Sequence, residues 1–159
     1  MTFPKIISGG QTGADRAALN WAIKNGIPHG GWCPRGRKAE DGRIPETYQL
    51  QETESADYPE RTAKNVLFSD ATVIFTLAAK LGRGSRLTIK LAEQFRKPWL
   101  HLHSQTPQPA QLLATFIRSK GITRLNVAGS RASRESQISQ FVGHILVQCH
   151  QLLSNENDD

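Results

Sequence analysis

The stretch Ser8-Gly9-Gly10-Gln11-Thr12-Gly13-Ala14-Asp15-Arg16-Ala17-Ala18-Leu19 directly follows the short apolar run Lys5-Ile6-Ile7. Downstream of the glycines, Ala14, Ala18 and Ala22 recur at helical spacing beside Leu19 and Ile23. A chain written this way has few options: a strand ends in a glycine turn and a helix begins at once. The start of such a helix presents unpaired backbone N–H groups and the positive end of the helix dipole, and glycines let an anion approach the main chain closely. Gly9, Gly10 and Gly13 are therefore expected to cradle a phosphate or oxyanion, with Gln11 and Thr12 donating hydrogen bonds at the loop tip. A tight turn without a ligand is the plainer alternative.

Two common phosphate loops are excluded by spacing. A dinucleotide fingerprint needs G-x-G-x-x-G and an acid about 20 residues on. Here Gly9 is adjacent to Gly10, and the end of the next strand reads Gly30-Gly31-Trp32-Cys33 without an acid. A Walker-type loop needs Gly-Lys followed by Ser or Thr, where this loop has Gly13-Ala14-Asp15.

The rest of the chain alternates strands with helices. After a helix ended by Asn25-Gly26, Ile27 to Cys33 reads as a second strand, followed by the basic loop Pro34-Arg35-Gly36-Arg37-Lys38 and a short edge strand within Tyr48 to Thr53. Pro59 to Ser69 has helical spacing, and Thr72 to Leu77 is a buried strand, apolar on both faces. The opening pattern then repeats: Gly82-Arg83-Gly84-Ser85 precedes a helix with Leu87, Leu91 and Phe95 on one stripe. Pro98 to Leu102 is a strand, Gln108 to Lys120 a helix closed by Gly121, and Ile122 to Val127 the last strand. A small-residue loop, Ala128-Gly129-Ser130-Arg131, leads to a long final helix with Ile138, Phe141, Val142, Ile145, Cys149 and Leu152 inward.

This alternation specifies a single α/β domain, a parallel sheet with helices on both faces, whose right-handed crossovers gather every strand-to-helix loop on one edge. Residues 1–153 form that domain and 154–159 a disordered acidic tail. The expected strand order puts the first strand beside Thr72–Leu77, so that Gly9–Gly13 faces Gly82–Ser85 across a crevice with Arg35–Lys38 and Gly129–Arg131 at its rim. Ser85 and Thr88 sit where a helix start holds a phosphate, and Arg35, Arg37, Lys38 and Arg131 supply charge.

Composition narrows the ligand. The net charge is +6, and the last six residues bring three acids and no base, so the body of the domain is more basic still. That favours anionic partners: a phosphorylated small molecule, nucleic acid or an acidic surface. No apolar run approaches a membrane span and the start lacks a secretory signal, so the protein is expected in the cytoplasm. Cys33 and Cys149, too few for a disulfide framework or a zinc site, are read as reduced and buried. His101 and His103 alternate on a strand without a third metal ligand, and Trp21, Trp32 and Trp99 read as packing residues.

The segments Ile7 to Leu19, Gly26 to Gly42 and Leu125 to Gly129 resemble the molybdenum cofactor carrier proteins over most of the chain. That family is similar, more distantly, to the Rossmann-like phosphoribohydrolases that release cytokinin bases from their nucleotides. The resemblance implies a Rossmann-like domain that binds, stores and protects molybdenum cofactor (molybdopterin), an anionic pterin dithiolene carrying a phosphate and an oxo-metal centre, without catalysis. It also implies a homo-oligomer and molybdoenzymes as acceptors. The phosphoribohydrolases carry Pro-Gly-Gly-x-Gly-Thr followed closely by a Glu needed for cleavage. Here the stretch is Leu81-Gly82-Arg83-Gly84-Ser85-Arg86-Leu87-Thr88-Ile89, which keeps the phosphate cradle without the acid, and Ser130 replaces a Pro usual among the carriers.

The main rival is therefore a hydrolase of nucleoside monophosphates, which needs a general acid or nucleophile; only Asp15, Glu40 or Asp41 is available for recruitment. Asp15 itself, in a first helical turn, reads as a dipole-complementing residue. A nucleic-acid module needs a continuous basic track interleaved with aromatics.

Overall fold

A computed structural model describes residues 2–156 of the chain. The central sheet is built from β1 (Lys5–Ile7), β2 (His29–Gly30), β7 (Ala71–Phe75), β8 (Trp99–Leu102) and β9 (Arg124–Gly129). Short ribbons β3 (Trp32–Cys33), β4 (Lys38–Ala39), β5 (Gly42–Arg43) and β6 (Gln51–Glu52) lie between β2 and the second helix. The helices are α1 (Ala14–Lys24), α2 (Tyr58–Leu67), α3 (Arg83–Gln94), α4 (Pro109–Lys120) and α5 (Ile138–Asn155). The single α/β layer plan read from the sequence is the one observed. Residues 154 and 155 complete α5 instead of joining an acidic tail, and 157–159 of that expected tail lie outside the described residues.

The sheet runs β2-β1-β9-β7-β8, with all neighbours parallel. This corrects the expected strand order, because β9 lies between β1 and β7. Leu125 aligns with Ile6 on one side and with Ala71 on the other. β7 is buried at all five positions and β1 has only three residues. The six-residue β9, its Leu125, Asn126 and Val127 buried, covers β7 over its whole length where β1 cannot. Gly129 permits the approach: at φ 152° it runs so close to β7 that a Cβ would stand 2.0 Å from the Phe75 carbonyl oxygen. The consequence for the site is direct, since the loop after β9 becomes central where it was expected at the rim.

Right-handed crossovers from β1 to β2 and from β7 to β8 run in opposite directions, so α1 and α3 fall on opposite faces of the sheet. α1 and α4 pack against α5 on one face and α2 packs against α3 on the other. The first face buries Ala14, Ala18, Leu19, Leu113, Ile117, Ile145, Leu146 and Cys149. The expected strand Ile27–Cys33 divides at Gly31, where φ is 135° and a Cβ would stand 2.1 Å from the Ser8 carbonyl oxygen. β2 stays beside β1, while β3 leaves the sheet to pair with β6, the remnant of the expected Tyr48–Thr53 strand. No helix among the described residues is long and apolar enough to cross a membrane.

Two glycines make opposite predictions. Gly129→Ala forces a Cβ onto the Phe75 carbonyl and should cost about 2–4 kcal/mol. Gly143, inside α5, has open space around it, so Gly143→Ala should stabilise by up to about 1 kcal/mol through helix propensity. Urea unfolding of the two variants beside the parent separates close strand approach from helix propensity, and a small loss in Gly129→Ala overturns the first assignment.

Candidate functional site

A cavity of about 470 Å³ opens at the carboxyl ends of β1 and β9, lined also by α2 and the start of α3. Of the residues singled out in the sequence, Gly9, Gln11, Gly82, Gly84, Ser85, Thr88, Gly129 and Arg131 stand on its wall. Gly10, Thr12, Gly13 and Arg35 lie off it. Lys38 lies off it as well, but its Nζ is 5.4 Å from the ring centroid of Tyr58, a wall residue.

The opening loop is held by the protein itself. Ala14 N–H donates to the Ser130 carbonyl at 3.0 Å, Gln11 N–H to Asp15 Oδ2 at 3.2 Å, and Thr12 N–H to Gln11 Oε1 at 3.0 Å. Thr12 Oγ1 donates to Glu40 and accepts from Ala132 N–H at 3.1 Å. Gly13 packs on the same segment, with a Cβ there 2.3 Å from the Ser130 carbonyl oxygen. Gly10, at φ 77°, faces the Leu50 and Ile44 side chains. The first turn of α1 thus finds an acceptor for Ala14 N–H in the loop after β9.

The first turn of α3 does not. Its first helical bond runs from Arg86 N–H to the Gly82 carbonyl at 3.0 Å, no side chain caps it, and the N–H groups of Arg83, Gly84 and Ser85 stand ahead of that bond. Ser85 is more than nine-tenths buried on the cavity wall, and its hydroxyl has no partner among the described residues. Thr88 Oγ1 donates to the Gly84 carbonyl at 3.0 Å. A Cβ on Gly84 would meet nothing within 4 Å. An uncapped helix start with a free hydroxyl inside a cleft is chemically a site for oxyanions.

Arginines complete the surroundings. Arg61, Arg83, Arg131 and Arg134 are on the wall, where Asp15 is the facing carboxylate. The Arg134 guanidinium lies across Gly82. Arg61 and Arg131 stand 5.3 and 5.5 Å from the centroid of Tyr58, so together with Lys38 they crowd three cations around one ring. The electron-rich ring offsets part of their mutual repulsion. Asp15 accepts from Arg61 Nη1 at 3.0 Å, yet burial outweighs this and raises its carboxyl above the ordinary range. Sequence reasoning missed Tyr58, Arg61, Arg83 and Arg134; the one-turn spacing of Tyr58 and Arg61 on a helix facing the crevice was the available signal.

The model of the family described as "Circularly permutated YpsA SLOG family" matches residues 6–150. The chain belongs to that family. A solved structure from Syntrophus aciditrophicus SB, named "Putative molybdenum carrier protein", is similar at 50% identity and TM-score 0.86, covering 92% of this chain and 94% of its own. No curated protein matches the chain.

Other sequence candidates take structural places in this SLOG domain. Arg37, expected at the rim, is buried, and its guanidinium donates to the carbonyls of Ile44, Pro45, Tyr48 and Leu50 at 2.7–3.3 Å, which organises the loop between β5 and β6. Cys33 is buried in β3, where burial raises its thiol. His101 Nε2 lies 2.6 Å from Thr76 Oγ1. Among the described residues no group of three or more His, Cys, Asp or Glu is placed to hold a metal ion. Trp21 packs on Phe3 and His150, and Trp32 stacks on Phe68. Asp41 pairs with Arg16, which holds the carboxyl below its ordinary range. Glu40 also lies below its range: burial acts to raise it, and the bonds from Ser133 and Thr12 prevail.

Glu135 ties the two loops of the cleft together, accepting from the Ser130 hydroxyl and from Leu77 and Ala78 N–H at 2.8 and 2.9 Å. Burial acts to raise its carboxyl, but these bonds prevail and hold it below the ordinary 4.5. A carboxyl lowered in the folded state contributes stability that is complete above the unfolded value and is lost as pH falls through the native value. Glu135→Gln should therefore flatten the acid side of the stability profile below about pH 4.5, read as urea midpoints from pH 3 to pH 7 (roughly the range over which native carboxylates titrate). An unchanged acid slope removes Glu135 from this role.

Proposed function

We propose that this protein binds and carries molybdenum cofactor in the cleft, storing and protecting it without acting on it. The observation that carries the reading is the uncapped first turn of α3, with the open Ser85 hydroxyl and Gly84, set among Arg83, Arg131 and Arg134. The phosphate of the pterin is assigned to that turn, where backbone N–H groups and the helix dipole meet it. Gly9, Gln11, Gly129 and Arg131 then flank the remainder of the ligand, and Lys38 reinforces the positive mouth beside Tyr58. The name of the Syntrophus protein, half identical over nearly the whole chain, supports the same ligand class.

The carboxylates favour carriage over hydrolysis. Asp15, on the wall, already accepts from Gln11 and Arg61, and Glu40 and Asp41 lie off the wall in bonds of their own. A general acid for N-glycosidic cleavage has to be free to exchange its proton with the leaving group. Delivery to a molybdoenzyme, residence in the cytoplasm and assembly as a homo-oligomer, through apolar positions on α5 such as the exposed Val147, belong to the same proposal.

Native mass spectrometry of freshly purified protein should show bound pterin with its metal, and incubation with adenosine monophosphate should release no adenine. Steady release of adenine overturns carriage in favour of the hydrolase. Gly84→Glu provides the folded control, because a Cβ there meets nothing and an acid in a first helical turn complements the dipole. The introduced carboxylate occupies the oxyanion position, and ligand affinity should fall by at least about tenfold with stability unchanged. Full retention of ligand by folded Gly84→Glu places the phosphate elsewhere.

A further inference from the structure

The mouth of the cleft gathers positive charge that the protein leaves unmatched. Lys38 Nζ and the guanidinium carbons of Arg61 and Arg131 stand 5.4, 5.3 and 5.5 Å from the centroid of Tyr58. They come from three separate parts of the chain: Lys38 from the β4–β5 hairpin, Arg61 from α2 and Arg131 from the loop after β9. Arg61 has a close carboxylate, Asp15 at 3.0 Å. Arg131 approaches Glu40 Oε2 only to 4.0 Å, and that carboxylate already accepts from Thr12 and from the Ser133 N–H and hydroxyl. Among the described residues Lys38 has no carboxylate within ion-pair distance. The hydroxyl of Tyr58, a half-buried residue of the cavity wall, likewise makes no hydrogen bond among them. These groups are within reach of solvent: Lys38 is exposed, and the Arg131 side chain, on the wall, is 43% exposed. The α3 turn has cations of its own, Arg83 and Arg134.

We propose that this cluster is a second oxyanion subsite, separate from the α3 turn, in which Lys38, Arg131 and the Tyr58 hydroxyl bind a tetrahedral anion of the sulfate or phosphate type. Such an anion accepts from all three donors and relieves the repulsion that the ring alone only offsets. Arg61, held on Asp15, adds its charge without a direct bond. The acids beside the cluster are Asp15 and Glu40, so three cations keep a positive balance even with both ionised, and burial disfavours the charge of Asp15. The anion is a free inorganic ion or a second anionic group of the ligand whose phosphate sits on the α3 turn, and both present the same chemistry to these residues. The inference does not require that ligand to be molybdenum cofactor.

Sodium sulfate, whose anion does not titrate near neutral pH, is titrated into the full nitrogen-labelled chain and followed by NMR, with sodium chloride at matched ionic strength as the reference. Amide signals of Ala39 and Ala132, next to Lys38 and Arg131, report the mouth, and those of Gly84 and Ser85 report the turn. Both groups should saturate at millimolar sulfate and not in chloride. Lys38→Ala and Arg131→Ala should each weaken the mouth response by about tenfold, and Tyr58→Phe, which keeps the ring, by a smaller factor. Both alanine variants are at exposed positions, and retained amide dispersion confirms their folding. Fructose monophosphate and fructose bisphosphate identify the source of the anion. Bisphosphate binding about tenfold tighter, with both groups of signals on one isotherm, supports a second group of the same ligand. Equal affinities of the two sugars, with sulfate still saturating the mouth, support a free ion. Saturation at the turn alone, a mouth response that chloride reproduces, or one unchanged in the folded alanine variants overturns the inference. Mouth binding in a protein that retains no molybdopterin overturns only the carrier reading. Retention of molybdopterin without mouth binding overturns only this inference.

Discussion

The hydrogen bond from Ala14 N–H to the Ser130 carbonyl decides where this domain can hold an anion. Two helices begin at the same edge of the sheet behind glycine-rich turns, and both start with the electropositive end facing the crevice. Insertion of β9 beside β1 brings the loop after β9 onto the first of them, where Ser130 and Ala132 satisfy Ala14 and Thr12 and Gly13 is pressed against the same backbone. That start has Ala14 N–H satisfied by protein and its glycine turn covered. α3, one strand further away, keeps its free N–H groups and opens into the cavity. The glycine loop at the chain's beginning therefore serves chiefly as a joint between two strands, and the second glycine turn has the geometry for a ligand.

This division explains what was legible in the sequence. Alternating periodicity located the strands and helices, because β7 is buried at every position and α4 ends in a left-handed Gly121 as its pattern implied. Strand order was not legible, since it depends on which edge of β7 receives β9, and no local pattern records that choice. Gly13 illustrates the difficulty: the sequence shows a glycine where the backbone must be approached closely, and it is silent on whether a ligand or another loop approaches. Arg37 shows the same limit for charge. Its place in a basic loop suggested a solvent-facing cation, whereas four carbonyls of the loop between β5 and β6 required one buried fork of donors.

The positive mouth has a stability cost that the surrounding residues reduce without removing. Lys38, Arg61 and Arg131 surround Tyr58, and Arg131 approaches the Glu40 carboxylate only to 4.0 Å. Arg61 is bound to Asp15, but burial works against that carboxylate's charge, so the pair compensates itself incompletely. Like charges held together by an aromatic ring and an under-solvated acid form a site kept at higher energy than a well-paired surface. Such an arrangement persists in a fold when something else supplies the missing negative charge.

The stretch from Leu81 to Ile89 carries the open helix start. It retains what an oxyanion needs, glycines and a hydroxyl ahead of a free helix start, and it lacks the nearby carboxylate that cleavage of a glycosidic bond requires. Glu135, in the loop after β9, is engaged by Ser130, Leu77 and Ala78. The Ser130 hydroxyl helps hold this glutamate, which strengthens the bridge between the two loops that shape the cleft. The open oxyanion turn and the bonded carboxylates around it have the chemistry of anion recognition, and Asp15, held by Gln11 and Arg61 and raised by burial, is the acid on the cavity wall.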